Sequence, residues 1–404
     1  MIKIKHVSYS DFIGGAAIAS VNIHNSLQDK ISSKFYCNEP KSNNKSFYQK
    51  LIVKMRVFIG RTPKVFYLNN LKKAMSFALL NSNLIKTLNN SHNNKQIVHL
   101  HWINRETLSI KDISRIKSHL IWTCHDMWPV LGAHHLSHKN IEYSNFIFFK
   151  HFLNIDYWTW YRKKKYLKDK EIHFVAPSLW MKEKIKKCDI YNKAKVSIIG
   201  NPIDCNFWKK NKTSTTKKKK IPIIVFGGSQ INNDKNKGLD LAIKIFNYLY
   251  LKKKMKFNVA FFGSENIQST GLYFSYKNYG IVNKKKLKMI YSLGDLSLIT
   301  SKIESFCQVA AEAQSCSLPV ICYKTSGLND TVKNNYSGYL LDQYNHIKFA
   351  DQIYKTLNNK KKLKELSDNA RKFIKNNFDK NIIASKYINL YERTIKESKE
   401  NAKK

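Results

Sequence analysis

No run of eighteen or more apolar residues occurs in these 404 residues, so a membrane-spanning helix is not expected. The opening Met-Ile-Lys-Ile-Lys-His-Val alternates like a first β-strand and lacks the apolar core of a signal peptide. The seven cysteines are odd in number and contain no Cys-x-x-Cys pair. That argues against a zinc ribbon or a disulfide framework and for reduced thiols in a cytoplasmic protein. Also missing are Gly-x-Gly-x-x-Gly and Gly-x-x-x-x-Gly-Lys-Ser/Thr, which makes a nicotinamide enzyme or a P-loop ATPase a poor reading.

Acidic residues are scarce: 28 Asp and Glu against 71 Lys and Arg leave a formal charge of +43. Such a charge invites a nucleic-acid reading. Only seven of the cations are Arg, however, and it is Arg whose planar fork reads phosphates and bases. The Lys excess, accompanied by abundant Asn and spread along the whole chain, fits coding bias first. Attraction to an anionic membrane surface comes second and nucleic acid third.

The apolar content of 43% supports real cores, and the length suits two domains. Apolar strands alternate with helical segments throughout, predicting doubly wound α/β architecture. Strands are expected near 2–7, 33–37, 97–101, 119–124, 172–176 and 195–199. A second series follows near 222–226, 256–262, 295–299, 319–323 and 338–341. Asn201-Pro202 closes the first series, and Lys209–Lys220, with four consecutive lysines, has no face to bury and reads as a linker. The expected units are 1–205, 206–379 and a final helical segment, 380–404.

The most informative stretch is Glu304-Ser-Phe-Cys-Gln-Val-Ala-Ala-Glu312. Ser305 and Gln308 have capping-box spacing, so a helix is predicted from Phe306. A helix N-terminus favours an anion such as phosphate. A carboxylate beside a diphosphate is repelled by it, so its expected task is to accept hydrogen bonds from neutral hydroxyls. A diphosphate together with hydroxyls describes a nucleotide sugar.

Glu304 and Glu312, followed by Ser-Leu-Pro-Val-Ile at 317–321, resemble the Glu-x7-Glu motif of retaining family 4 glycosyltransferases of the GT-B fold. The resemblance implies two Rossmann-like domains facing a central cleft, with the C-terminal helix crossing back to the N-terminal domain. It places Glu304 by the donor sugar and Glu312 on the ribose hydroxyls. The N–H groups of Phe306, Cys307 and Gln308 would then lie against the diphosphate. Asp-x-Asp, the metal–diphosphate signature of the other major glycosyltransferase fold, does not occur. A metal-independent enzyme without a resident cofactor is therefore expected.

Further residues match the family at corresponding places. Gly14-Gly15 follows the first strand, where a glycine-rich loop lets the backbone approach a ligand; a plain turn is the alternative. Gly228 ends the first strand of the second series. Lys237-Gly238 resembles the family's Lys-Gly, whose ammonium would neutralise the leaving diphosphate. Ile281 would line the nucleobase pocket, with strand-end packing as the alternative. His-Leu-His-Trp at 99–102 and Trp-Thr-Cys-His-Asp-Met-Trp-Pro at 122–129 look like exopolysaccharide and lipopolysaccharide members of the family. There the counterpart of His125 approaches the donor sugar, and His99 and His101 are weaker candidates. His134, His135 and His138 stand where relatives differ; they lack a partner set for a metal and are expected to shape the acceptor pocket.

Tyr48, Leu51, Ile52, Met55, Phe58 and Ile59 recur at helical spacing among Lys50, Lys54, Arg56 and Arg61. A second aromatic-basic cluster runs from Phe146 to Tyr166. Both read either as core stripes or as surfaces for the inner leaflet of the cytoplasmic membrane, near a lipid-linked acceptor. The expected function is sugar transfer from a nucleotide-diphosphate sugar to a surface glycan, with retention. The alternatives are a nucleotide-sugar epimerase of the same fold or, further off, a nucleic-acid-binding protein.

Overall fold

The computed structural model describes residues 2–12, 14–42, 46–63, 75–90, 95–137, 154–211, 221–267 and 271–401. Two compact units result: 1–202 with 383–404, and 203–382. The tetralysine of the expected linker, residues 146–153 of the second aromatic cluster and His138 lie outside the described residues.

The first unit holds a six-stranded parallel sheet made of β1 (Lys3–Ser10), β2 (Ser32–Glu39), β3 (Gln96–Leu100), β4 (His119–Thr123), β5 (His173–Ala176) and β6 (Lys195–Ile198). Its order is β2-β1-β3-β4-β5-β6, so the winding reverses between β1 and β3. The second unit holds β7 (Ile223–Gly227), β8 (Asn258–Phe262), β9 (Ser275–Asn278), β10 (Leu296–Ile299), β11 (Val320–Tyr323) and β12 (Gly338–Leu341). The order β12-β11-β10-β7-β8-β9 is that of a dinucleotide-type Rossmann sheet, reversing between β7 and β10. In such sheets ligands bind beyond the carboxyl ends of the strands at the reversal.

Strand alternation decides which side chains meet in the first unit. Val7, Val98 and Leu100 enter one apolar core together with Trp122 and Phe174. His6 and His99 are register partners in adjacent strands, and His101 follows two residues on. These three histidines are buried, and His99 meets Tyr387 and Tyr391 of the last helix, Lys380–Asn401. The Tyr391 hydroxyl lies 2.8 Å from His99 Nδ1, and from Ile383 onward the helix belongs to the first unit.

Of the two aromatic-basic stretches, one is a core stripe and one is not. In helix Ile155–Leu167, Tyr157, Trp160 and Lys163 are buried. Lys163 Nζ donates to the carbonyls of Trp128, Leu131 and Gly132, which pins the loop after β4. Arg162 donates to the carbonyls of Phe77 and Ala78. In the described half, Arg162 and Lys163 are thus engaged with backbone carbonyls, while Lys164 and Lys165 stay exposed. Helix Phe47–Arg61 differs, since Gly60 is its only buried residue. Phe47, Tyr48 and Phe58 are 82%, 69% and 73% exposed. A side chain at residue 60 would collide with Glu106, and Arg56 donates to the carbonyls of Asn81, Leu80 and Glu106. The helix is therefore held by its Gly60 and Arg56 side and leaves its apolar row uncovered. No helix among the described residues is long and apolar enough to cross a membrane.

Candidate active site

In the second unit, Gly227-Gly228 ends β7 beside the point where the winding reverses. A Cβ on Gly263 would come within 2.0 Å of the Gly228 carbonyl oxygen, and one on Gly228 would lie 4.0 Å from the Lys237 side chain. Asp234 caps the single 3-10 turn Lys235–Lys237, and Gly238, at φ +69°, turns the chain into helix Leu239–Leu251. That left-handed turn suits glycine, and a side chain there would strike the Thr300 carbonyl besides. Lys237 Nζ lies 2.8 Å from Glu304 Oε1, so the motif after β10 and the Lys-Gly after β7 meet as an ion pair. Burial pulls the Lys237 pKa down, but Glu304 outweighs it and holds the ammonium above its ordinary range.

The helix after Glu304 departs from the sequence expectation. It runs Gln308–Ser315, not from Phe306, and Ser305 with Gln308 does not form the capping box. Cys307 is the N-cap at φ +75° without a side-chain cap bond, so the chain turns left-handed before the helix can start. Gln308 instead donates from Nε2 to Glu312 Oε1 at 3.1 Å. A non-glycine residue in this region stores strain, which neighbouring structure must over-determine. Here the loop after β11 does so: the Glu304 N–H donates to Ser326 Oγ at 2.8 Å, and the Gly327 N–H donates to the Glu304 carbonyl at 2.8 Å. Thr331 Oγ1 donates to the Phe306 carbonyl. A Cβ on Gly327 would lie 2.4 Å from the Ser305 carbonyl oxygen. Sequence reading missed Ser326, Gly327 and Thr331, although Thr-Ser-Gly one residue beyond an apolar strand is a turn signal.

Glu312 is buried in that helix, and burial pushes its pKa up to about 7, with Gln308 and Lys284 opposing. Tyr291, whose hydroxyl lacks a partner among the described residues, lies in the same region. Ile281 is 73% exposed beside Gly280, so it is not packed into the core at the strand end. Gly228, Lys237, Glu304, Cys307, Gln308 and Glu312 are thus gathered at the carboxyl edge of one sheet.

In the first unit, Gly14 (φ +84°) and Gly15 open helix Gly14–Leu27 after β1. A Cβ at either would meet nothing within 4 Å. His101 follows β3 and His125 follows β4, with His101 Nδ1 3.1 Å from His125 Nε2. Burial lowers the His125 pKa to about 4, against the pull of Asp126. Asp126 accepts from Trp102 Nε1 and from the Trp128 N–H, and Oδ2 lies 2.6 Å from His135 Nδ1. Burial acts to raise its pKa, yet His135 and these donors hold it below its usual value. His134 and His135 are turned to Asp156 and Asp126 respectively, so they serve as loop anchors.

Residues 208–373 match the family of glycosyl transferases group 1. The chain carries a group 1 glycosyltransferase domain. Over 95 residues it is 32% identical to the capsular polysaccharide biosynthesis glycosyltransferase CapM of Staphylococcus aureus, covering 24% of this chain and a quarter of that protein's length. A 41.2 kDa protein of the cps region of Klebsiella pneumoniae is 26% identical across 94% of this chain and 96% of its own. Among solved structures, Anabaena HepE in complex with UDP-glucose superposes with TM-score 0.65 at 14% identity, covering 97% of this chain and all of HepE. The lipopolysaccharide glycosyltransferase WaaG gives 0.61 at 12% identity, with 96% and 99% covered. The fold of this glycosyltransferase-domain chain is accordingly GT-B, with one Rossmann-like sheet in each unit.

Proposed function

We propose that the protein transfers a sugar from a nucleotide-diphosphate sugar to a surface-glycan acceptor, with retention and without a metal. The observation that carries this reading is the Lys237–Glu304 ion pair at the reversal point of the second sheet, beside the start of helix Gln308–Ser315. A fixed ammonium and a helix N-terminus supply positive potential for a departing diphosphate. Glu312, deep in the same helix, takes the ribose hydroxyls. His125 and Glu304 are assigned to the donor sugar. The UDP-glucose complex of HepE and the capsular role in the name of CapM support a nucleotide-sugar donor and a glycan acceptor.

Calorimetry against UDP-, GDP-, ADP- and CMP-sugars tests the reading directly. One donor should bind, and EDTA should leave that binding unchanged. Binding by none of them overturns the assignment. If donor incubated without acceptor is converted to an epimeric nucleotide sugar, the enzyme is an epimerase and not a transferase.

A lipid-linked acceptor is favoured by helix Phe47–Arg61. Beside it lies a groove of about 520 Å³ lined by apolar residues, among them Phe12, Val57 and Phe58, and by Lys41, Lys50, Lys54 and Arg61, with Glu39 as the one acidic residue. A mixed apolar and mostly cationic lining suits an amphipathic anion, and an exposed basic amphipathic helix suits an anionic bilayer. The protein should sediment with vesicles of anionic phospholipid at low salt and not with zwitterionic ones. Phe47→Ser with Phe58→Ser should abolish most of that binding. Equal recovery of wild type and variant would remove the membrane from the reading.

A further inference from the structure

The first sheet also reverses its winding, between β1 and β3, and residues at those strand ends line two cavities. One is the groove beside helix Phe47–Arg61. The other is a pocket of about 290 Å³ whose lining includes Ser76, Trp102, Arg105 and His135. Val57 and Arg61 line both, so the two cavities share a wall. Tyr9, near the end of β1, lines the groove, and its N–H donates to the carbonyl of Trp102, just after β3.

Arg105 stands at the border between them. Its guanidinium lies 5.0 Å from the centre of the Tyr9 ring and 5.9 Å from that of Trp102, and it donates to the Tyr9 hydroxyl. The loop presents it under strain: Arg105 (φ +53°) and Glu106 (φ +57°) are consecutive non-glycine residues in the left-handed region. Surrounding bonds hold that backbone. The Thr107 N–H and hydroxyl donate to the Asn104 carbonyl, the Leu108 N–H donates to Ile103, and Arg56 donates to the Glu106 carbonyl. Strain that is over-determined in this way clusters at ligand clamps. Arg56 and Arg162 are occupied by backbone carbonyls, whereas Arg61 and Arg105 form no ion pair among the described residues. The acids nearby have donors of their own: Glu39 accepts from the Tyr9 hydroxyl, and Glu106 accepts from the Leu80 N–H at 2.7 Å.

The pocket is also tied to the residue assigned to the donor sugar. Trp102 Nε1 donates to Asp126 Oδ2 at 2.7 Å, and His135 Nδ1 lies 2.6 Å from the same oxygen. Asp126 directly follows His125. We propose that groove and pocket form one seat for the acceptor, in which Arg61 and Arg105 hold a phosphate joining an apolar chain to the sugar that receives the transfer. This rests on the transferase reading and on the assignment of His125. The apolar lining of the groove takes the chain, and the two guanidiniums take phosphate oxygens through paired N–H donors. The pocket then places the receiving sugar beside Asp126 and His125. A neutral glycan would leave both guanidiniums without an anion, so the seat selects for phosphate.

Calorimetry on the full-length protein with farnesyl diphosphate, farnesol and inorganic pyrophosphate separates the parts of the seat. Farnesyl diphosphate should bind more tightly than the other two, each of which carries only one half of it. Arg105→Gln should weaken that binding by about 10–100-fold. Arg105→Lys should weaken it less, because the charge stays while the fork is lost. Lys193→Gln, which removes one exposed charge elsewhere on the same unit, should leave it unchanged. Arg61→Gln repeats the test at an exposed helix end, should Arg105→Gln not fold. The donor site also suits a diphosphate, so Lys237→Ala is measured alongside and should keep the Arg105-dependent binding. Equal binding of farnesol or of pyrophosphate overturns the proposal, as does full affinity in both Arg→Gln variants or loss of all binding in Lys237→Ala. Donor calorimetry judges the transferase reading separately. Nucleotide-sugar binding without Arg105-dependent farnesyl diphosphate binding keeps that reading and removes the seat. The converse keeps a lipid-phosphate site and removes the transferase.

Discussion

Replacing Glu304 with Ala is expected to lower the rate of sugar transfer by about 10²–10³-fold, the range seen when one preorganised electrostatic group is removed from an active site. The structural reason is the 2.8 Å contact with Lys237. In the free enzyme the carboxylate holds the ammonium in place and keeps it charged. On the proposed reading, the same ammonium would meet the departing diphosphate as a second anion. Deleting Glu304 removes the group that positions the cation as well as the group assigned to the sugar. Lys237→Ala should therefore lose rate by a similar factor, and the double variant should be little worse than the worse single one. Residues acting as a unit give that non-additive pattern, whereas independent roles would multiply the losses. Near-normal turnover by Glu304→Ala would remove its assigned role, and multiplicative losses would mean that the ion pair matters only to the resting enzyme.

The architecture was readable because buried parallel strands are apolar runs between helical segments, and that contrast survives in a lysine-rich chain. Strand β9 was not expected. Ser275-Tyr-Lys-Asn278 is four residues long, lies at the sheet edge and is mostly exposed, so no burial pattern marks it. The site divides along the same line. Lys237-Gly238 and Glu304 to Glu312 are visible as local spacings. Their contacts are not, since Ser326 and Gly327 reach Glu304 from the next loop and His6 reaches His101 across 95 positions. The capping box at Ser305 misled because local propensity points to a helix from Phe306. Tertiary contacts from Thr331 and Gly327 instead hold the backbone that leads into the left-handed Cys307. A polar residue at a buried position of a central strand, as at His6, was the available signal for the cluster of His6, His99 and His101.

Glu312→Gln is expected to separate stability from binding, moving the two in opposite directions. Burial raises the Glu312 pKa to about 7 in the folded protein, against an ordinary value of 4.5. Between those values the folded state holds a proton that the unfolded chain has released. Stability therefore falls as pH rises through this window, and by pH 8 the cost reaches about 3 kcal/mol. Gln cannot ionise, and its amide can still accept from Gln308 Nε2 while donating to Gln308 Oε1, which has no partner among the described residues. The ligand-free variant should melt about 5–10 °C higher at pH 8 and show a flatter stability profile between pH 5 and 8. Donor binding should weaken by about 100-fold, because hydroxyls that donate to a carboxylate lose a charge-assisted acceptor. In the wild type, those same bonds favour the ionised form. Binding at pH 6 should then release a proton, visible as a heat that varies with the ionisation enthalpy of the buffer, and affinity should rise with pH until about 7. A variant that is no more stable at pH 8 would mean that Glu312 is not buried as a strained acid. A stabilised variant with unchanged donor affinity would keep the electrostatics and remove the ribose from its role.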